Sequence, residues 1–317
     1  MADPTFFDQI RESCAAVASA SSHVRINPDA LADFAGRVDL DLPANDPGQE
    51  PIGDAESTAA FVLTLDAINF GSGYFPYLKK RPGHSGYHTV AASLRDWIDE
   101  NGAITTSKLG ERTVDQWAAT FGQSLDGSPA QELMELFTLA LRDLAEFVDR
   151  NTDGSFVGLI ESADHEAAAL AASLTDMPFY RDVHAHRRGK VYLYKRAQIT
   201  VQDLAVAFGG QGLGRFDDIA QLTMFADNLV PHVLRVEGVL EFSQDLLARI
   251  NGADDIAVGS EPEVEIRACG VTAVEQLAAA MPTRSVTVGT LDNTLWNLGA
   301  QPRYKAIPRH RSRCVYY

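Results

Sequence analysis

The sequence predicts a mainly α protein: a single compact helical domain, residues 1–317, with a minor β-hairpin. Three observations predict it. Apolar residues recur at intervals near 3.6 through most of the chain. Alternation of period two is clear only in Lys190-Val-Tyr-Leu-Tyr, bounded by Gly189. No repeat, low-complexity segment or break in composition divides the chain.

In order, helical spacing covers residues 6–20, 28–34, 56–69, 89–100, 113–121 and 130–150. It continues over 155–174, 197–208, 218–237, 243–251 and 263–281. Asn27-Pro28 and Ser128-Pro129 place a proline in a first turn, and Asp54-Ala-Glu precedes an apolar run. Asn101-Gly102, Asp153-Gly154 and Asn251-Gly252 are stops. Residues 179–183 and 190–194 are the expected arms of the hairpin, and 285–289 a short extended stretch. Loops at 41–53 and 208–215 are the expected flexible or site-lining segments.

Hydrophobic residues at 45% and charged residues at 22% describe a chain with a real core. No window approaches the roughly 18 apolar residues of a membrane span. The N-terminus lacks a basic-then-apolar leader. The cysteines Cys14, Cys269 and Cys314 are odd in number and far apart, which points to a reducing, cytoplasmic setting and away from disulfides or zinc. A formal charge of −16 opposes a long polyphosphate partner, while a small anion needs only a few converging cations. The basic clusters at 79–81, 187–188, 195–196 and 303–313 read by default as solvated surface.

Several segments hold polar groups among apolar ones. In GTLDNTLWNL, residues 289–298, Leu291, Leu295 and Leu298 make a packing stripe. Asp292 and Trp296 share a neighbouring face with Asn297 beside them, and Thr290 is the expected cap. In LTMFADNLVP, residues 222–231, Asp227 sits in an apolar helix that Pro231 ends or kinks, and it needs a partner or a shifted pKa. Around the hairpin, Arg181, Lys195 and Arg196 are cations on paired strands that can converge on a phosphate, Lys195 lying on an otherwise apolar face. His184 and His186 are too weak a pair to argue a metal. Phe70, with Gly71, Gly73 and nearby aromatics, is core or a stacking surface. Glu265 and Arg267 are expected to pair with each other, and the tail RHRSRCVYY to dock. Phosphate-loop, nucleophile-elbow, zincin and paired CxxC signatures are absent.

Taken together, YKRAQI, LTMFADNLVP, EVEIRACG, LDNTLWN and the ending IPRHRSRCVYY, with FYRDV and LDAINF in register, resemble the queuosine salvage protein family over nearly the whole chain. The resemblance implies a mainly α fold distantly similar to helix-hairpin-helix DNA glycosylases. It implies hydrolysis of the N-glycosidic bond of queuosine 5′-monophosphate, releasing ribose 5-phosphate and queuine for tRNA modification. No cofactor or metal follows from it. Carried over by position, the pocket residues are Phe225, Asp227, Asp292, Trp296 and Asn297. The family has Asp after that Trp, so Asn297 marks either an inactivated variant or a member with altered activity. Lys195, with Arg196 or Arg181, is expected to take the phosphate, and Phe225 and Trp296 to sandwich the base. The competing readings are a non-catalytic binder of a purine-like nucleotide and a DNA base-excision glycosylase, the latter opposed by the charge.

Overall fold

A computed structural model describes residues 5–40, 49–281 and 286–317. In chain order its elements are α1 (Phe6–Ala18), β1 (Val24–Ile26), α2 (Pro28–Ala35), α3 (Ala55–Ala67), α4 (Gly86–Asn101), α5 (Thr106–Glu111) and α6 (Val114–Thr120). Then come α7 (Pro129–Thr152), α8 (Phe156–Glu161), α9 (Ala167–Leu174), β2 (Val183–His186), β3 (Gly189–Tyr192) and α10 (Lys195–Ala207). The last are α11 (Val230–Val236), β4 (Leu240–Phe242), α12 (Gln244–Asn251), α13 (Glu261–Ala280), α14 (Val288–Gly299) and α15 (Pro302–Lys305).

Two helices are apolar enough to be central. In α13 the residues from Glu263 to Val271 are all buried, and α1, α2, α11 and α14 pack around it. In α3 every residue from Thr58 to Ala67 is buried, among α7, α8 and α10. The long α7 is instead amphipathic, with Leu133, Met134, Phe137, Leu141, Leu144 and Val148 on its inner face. Its stop at Asp153-Gly154 behaves as read, both residues having positive φ (49° and 86°). The mainly α class therefore holds, with two antiparallel ribbons among the described residues.

The hairpin is shifted from the expected register. Val183–His186 pairs with Gly189–Tyr192, while Phe179 lies in a single 3-10 turn. Tyr194 adopts a left-handed conformation (φ 46°) that turns the chain into α10, so Lys195 opens a helix instead of occupying a strand face. A second ribbon, Val24–Ile26 with Leu240–Phe242, is not visible in the sequence, because its strands are three residues long and far apart along the chain. The short α5 likewise carries too little periodicity to be read.

Two expected helices break. Residues 155–174 divide into α8 and α9 at Asp164 and His165, both with positive φ, and the distant Asp218 carboxylate accepts from Ala167 and Ala168 N–H to start α9. Residues 218–237 are helical only at α11 and in one 3-10 turn, Ile219–Gln221. Between them the backbone bonds to side chains instead of to its own ladder. Gln198 accepts from Thr223 N–H at 2.9 Å, Asp292 accepts from Phe225 N–H at 2.9 Å, and Arg267 donates to Ala226 C=O at 2.8 Å. Pro231 then sits in the first turn of α11 and ends nothing.

Near residue 289 the order is also revised. Thr287, not Thr290, caps α14, and Val288 and Gly289 are already helical. Ser285 and residues 41–48 of the expected loop lie outside the described residues. The expected Glu265–Arg267 pair does not form. Arg267 pairs with Asp182 at 2.5 Å, and Glu265 accepts from Ser22 and His23 N–H. The tail docks as expected. Tyr317 is buried with its ring against the Arg267 guanidinium, and its carbonyl accepts from Gly71 and Ser72 N–H.

Candidate active site

The end of α3, the start of α10, the extended 222–229 segment, α14 and the C-terminal tail enclose a cavity of about 810 Å³. Its lining includes Phe70, Lys195, Phe225, Asp227, Asp292 and Trp296. Six of the residues singled out in the sequence thus meet in one hollow of a size that takes a nucleotide.

Asp227 is fixed by its own chain. One carboxylate oxygen, Oδ1, accepts from Leu229 N–H at 2.8 Å and Val230 N–H at 3.0 Å, an Asx-type cap on α11. Among the described residues its Oδ2 accepts no hydrogen bond, which leaves that oxygen for a ligand. Asp292 is buried at 4% exposure, and its bond to Phe225 N–H ties α14 to the extended segment. Lys195 donates from Nζ to Asn69 C=O at 3.1 Å and Asn69 Oδ1 at 3.2 Å. Asn69 in turn donates to Asp66.

Burial raises the Asp227 pKa, against the pull of the Val230 N–H, the Lys195 ammonium and the Leu229 N–H. Asp292 is pushed well above the usual carboxylate range by burial first and by the Asp227 charge second. The Lys195 ammonium is lowered by burial, with Asp227 and Asp66 opposing. The two carboxyls therefore differ. Asp227 has a cation and two amides to hold its charge, whereas Asp292 has one amide, a like charge beside it and a pKa pushed further up.

Phe225, 4% exposed, and Trp296 line the same cavity. Trp296 stacks on His88 at 6.3 Å and meets Tyr87 edge to face at 6.0 Å, which holds its ring at the wall. Phe70 is a fixed wall residue, packed edge-on against Phe137 and Phe179.

Three expected site residues lie elsewhere. Arg196 is buried and donates to the carbonyls of Phe179, Val315, Asp66 and Ala67 between the rings of Phe70 and Tyr180. Its donors tie three backbone segments together, at 66–67, 179 and 315, so the guanidinium is committed to the fold. Arg181 is exposed and reaches only the carbonyls of Thr175 and Asp176. Asn297 is not in the lining. The cavity face of α14 carries Asp292, Asn293, Trp296, Gly299 and Ala300, and Asn297 donates back to Asn293 C=O and Oδ1, both at 2.9 Å.

The cavity also takes in Asn69, Lys80, His84, Gln202, Arg309 and Arg311, none assigned to a site from sequence. The expected loop at 208–215 does not border it. His186 lies 3.5 Å from both Glu261 and Glu265, a set that can surround an ion. Its Nδ1, however, accepts from Arg188 N–H, and Arg187 pairs with Glu261, so the protein already supplies a cation to these carboxylates. The set is an ion-pair network.

A helical scaffold encloses a cavity walled by fixed rings and lined by two unlike carboxyls and a lysine, a chemistry that suits a small planar, polar ligand. The family model described as queuosine salvage protein matches residues 49–317, and the chain belongs to that family. It is 35% identical to a queuosine 5′-phosphate N-glycosylase/hydrolase of Sphaerobacter thermophilus, over 83% of this chain and 82% of that one. Proteins of the same name from Dictyostelium discoideum (32%, covering 97% and 98%) and Bos taurus (31%, covering 84% of each) are also similar.

Proposed function

We propose that this protein hydrolyses the N-glycosidic bond of queuosine 5′-monophosphate to queuine and ribose 5-phosphate. The observation that carries the reading is the meeting of Asp227, Asp292 and Lys195 beside Phe225 and Trp296, in a chain whose family relatives bear that activity in their names.

Cleavage of such a bond passes through an oxocarbenium-like ribosyl cation. The C1′–N bond breaks with its electron pair going to the base. A 7-deazapurine has no N7 to accept a proton, so stabilisation on the sugar side matters more than usual. Asp227 is suited to stabilise that cation, because two amides hold Oδ1 and Oδ2 is available to face the sugar. Water then adds its oxygen to C1′ and passes a proton to Asp227. Asp292, held neutral, supplies a hydrogen bond and a proton toward the departing base. Lys195 keeps Asp227 ionised between turnovers. Phe225 and Trp296 hold the base plane, and burial of the floor keeps the field strong.

The test is release of queuine from the monophosphate, followed by mass. Asp227→Asn lowers kcat by about 10²–10³, the magnitude for losing a preorganised charge-stabilising group, with an unchanged melting temperature. Wild-type protein that leaves the bond intact, or a fully active Asp227→Asn variant, overturns the reading. A pure binder would be stabilised by the nucleotide without cleaving it.

A further inference from the structure

Lys195 opens α10 and is 5% exposed, so its amine works out of bulk water. Three features oppose a charge on it. The side chain is buried, the next residue is the cation Arg196, and the positive end of the α10 dipole lies at its own backbone. The Asp227, Asp66 and Asp203 charges act the other way, and on balance the pKa is lowered.

Hydrogen bonding gives an independent observation. Among the described residues Nζ has two acceptors, Asn69 C=O at 3.1 Å and Asn69 Oδ1 at 3.2 Å. The Asn69 amide donates to Asp66 at 3.1 Å, so its oxygen is the atom turned to Lys195. An ammonium has three hydrogens to place, and among the described residues the third has no acceptor. A neutral amine has two hydrogens and a lone pair. It satisfies both acceptors and keeps the lone pair for the cavity that Lys195 lines. Asp227 lines the same cavity, near enough for its charge to act on the amine. Among the described residues, however, no carboxylate makes an ion pair with Nζ. A gap therefore separates amine from carboxylate, and the mechanism above puts the anomeric carbon of the sugar beside that carboxylate.

The proposed reaction supplies a partner for such an amine. Ribose 5-phosphate opens to an aldehyde at C1, the carbon that carried the base. By then water has passed a proton to Asp227, and losing that negative charge removes the main support of a charged Lys195. We infer that Lys195 condenses with the C1 aldehyde of the ribose 5-phosphate product, forming a reversible imine that holds the sugar in the cavity after the base has left. The inference rests on the N-glycosylase reading, which provides the aldehyde. The Nζ lone pair adds to C1, and the proton that nitrogen gives up goes to the carbonyl oxygen, leaving a carbinolamine. The Asp227 carboxyl protonates the new hydroxyl, which departs as water while the nitrogen lone pair forms C=N. A protonated imine then stands beside an ionised Asp227, and water reverses the sequence. Ribose 5-phosphate is thus a slow-onset inhibitor.

The experiment incubates wild-type protein with ribose 5-phosphate and cyanoborohydride, which reduces an imine to a stable secondary amine, and maps the product by peptide mass. Lys195 gains one sugar phosphate less an oxygen atom, at least about tenfold faster than any other lysine, because an ordinary lysine is almost wholly protonated at neutral pH. Ribitol 5-phosphate, which has no carbonyl, labels nothing. Preincubation with ribose 5-phosphate deepens inhibition of queuine release. Labelling that is absent from Lys195, or no faster there than at the other lysines, overturns the imine. Queuine release is measured separately on the same protein. Its absence removes the N-glycosylase reading, whereas release without labelling at Lys195 removes the imine alone.

Discussion

At the residue scale, burial raises both carboxyls of the cavity, Asp292 further than Asp227. Asp292 has a folded pKa raised above its unfolded value, so the folded state binds the proton more tightly. Its ionisation therefore subtracts stability as pH rises from the unfolded value through the folded one. Asn at 292 retains an oxygen for Phe225 N–H and removes the buried charge. Asp292→Asn accordingly holds or raises the melting temperature at pH 8 relative to wild type while cutting kcat, measured by calorimetry and base release. A lower melting temperature at that pH would mean that the charge is not the liability described here. On the proposed mechanism the pH–rate profile of wild type is expected to fall on the acid side as Asp227 is protonated, above the usual carboxylate range, and on the alkaline side as Asp292 ionises, and a profile flat on either side removes that carboxyl from its role. Asn297 is bonded back to Asn293 and lies outside the lining, so it is expected to bear on neither limb. Asn297→Asp changes kcat/KM by less than about threefold, the scale of an indirect electrostatic effect; a large gain would restore this position to the catalytic centre.

At the element scale, the site depends on segments that avoid regular structure. The 222–229 stretch stays extended because Gln198, Asp292 and Arg267 bond its backbone, and the tail stays extended because Asn228 and Ile256 bond it. Close approach secures both. A Cβ at Gly299 would lie 2.7 Å from Leu229, and one at Gly73 would strike the backbone of Ser312. Gly73→Ala must displace the tail, which lines the cavity, so it lowers the melting temperature and raises KM. Gly122→Ala, in open space at φ +65° and outside the cavity lining, carries only its own backbone strain, about 1 kcal/mol, and leaves KM unchanged. Calorimetry and base-release kinetics separate these outcomes, and a Gly73→Ala protein with wild-type KM would show that the tail does not shape the cavity.

Across the whole molecule, acid is the expected weakness. His232 and His310 are buried neutral, burial holding them down to about 4 and about 3. A histidine depressed in the folded state binds protons more strongly when unfolded. Its contribution is present above the unfolded value of about 6.5 and is lost as pH falls toward the folded value. Asp182, which burial would raise but Arg267 and His184 hold at about 2, adds a further loss below about 4. The melting temperature falls steadily from pH 7 to pH 4, and His310→Asn flattens that fall. A profile level over this range would remove the histidines from the acid response.

The sequence by itself determined what local physics controls. Helical periodicity named most helices of the fold, since burial of one face repeats every 3.6 residues whatever the partner. Motifs placed Phe225, Asp227, Asp292, Trp296, Lys195 and Phe70, and all six share the cavity. Only the tertiary structure decided the rest. Residues 222–229 read as helix because their apolar content is high, and they are extended because side chains from α10, α13 and α14 displace the helical ladder at their backbone groups. Arg196 looked like a ligand cation and is a buried brace, while Arg309 and Arg311 looked like solvated surface and face the hollow. Adjacent residues cannot reveal which carbonyls or carboxylates a distant fold will bring to a guanidinium, and that supply of partners is what separates a structural cation from one left for substrate.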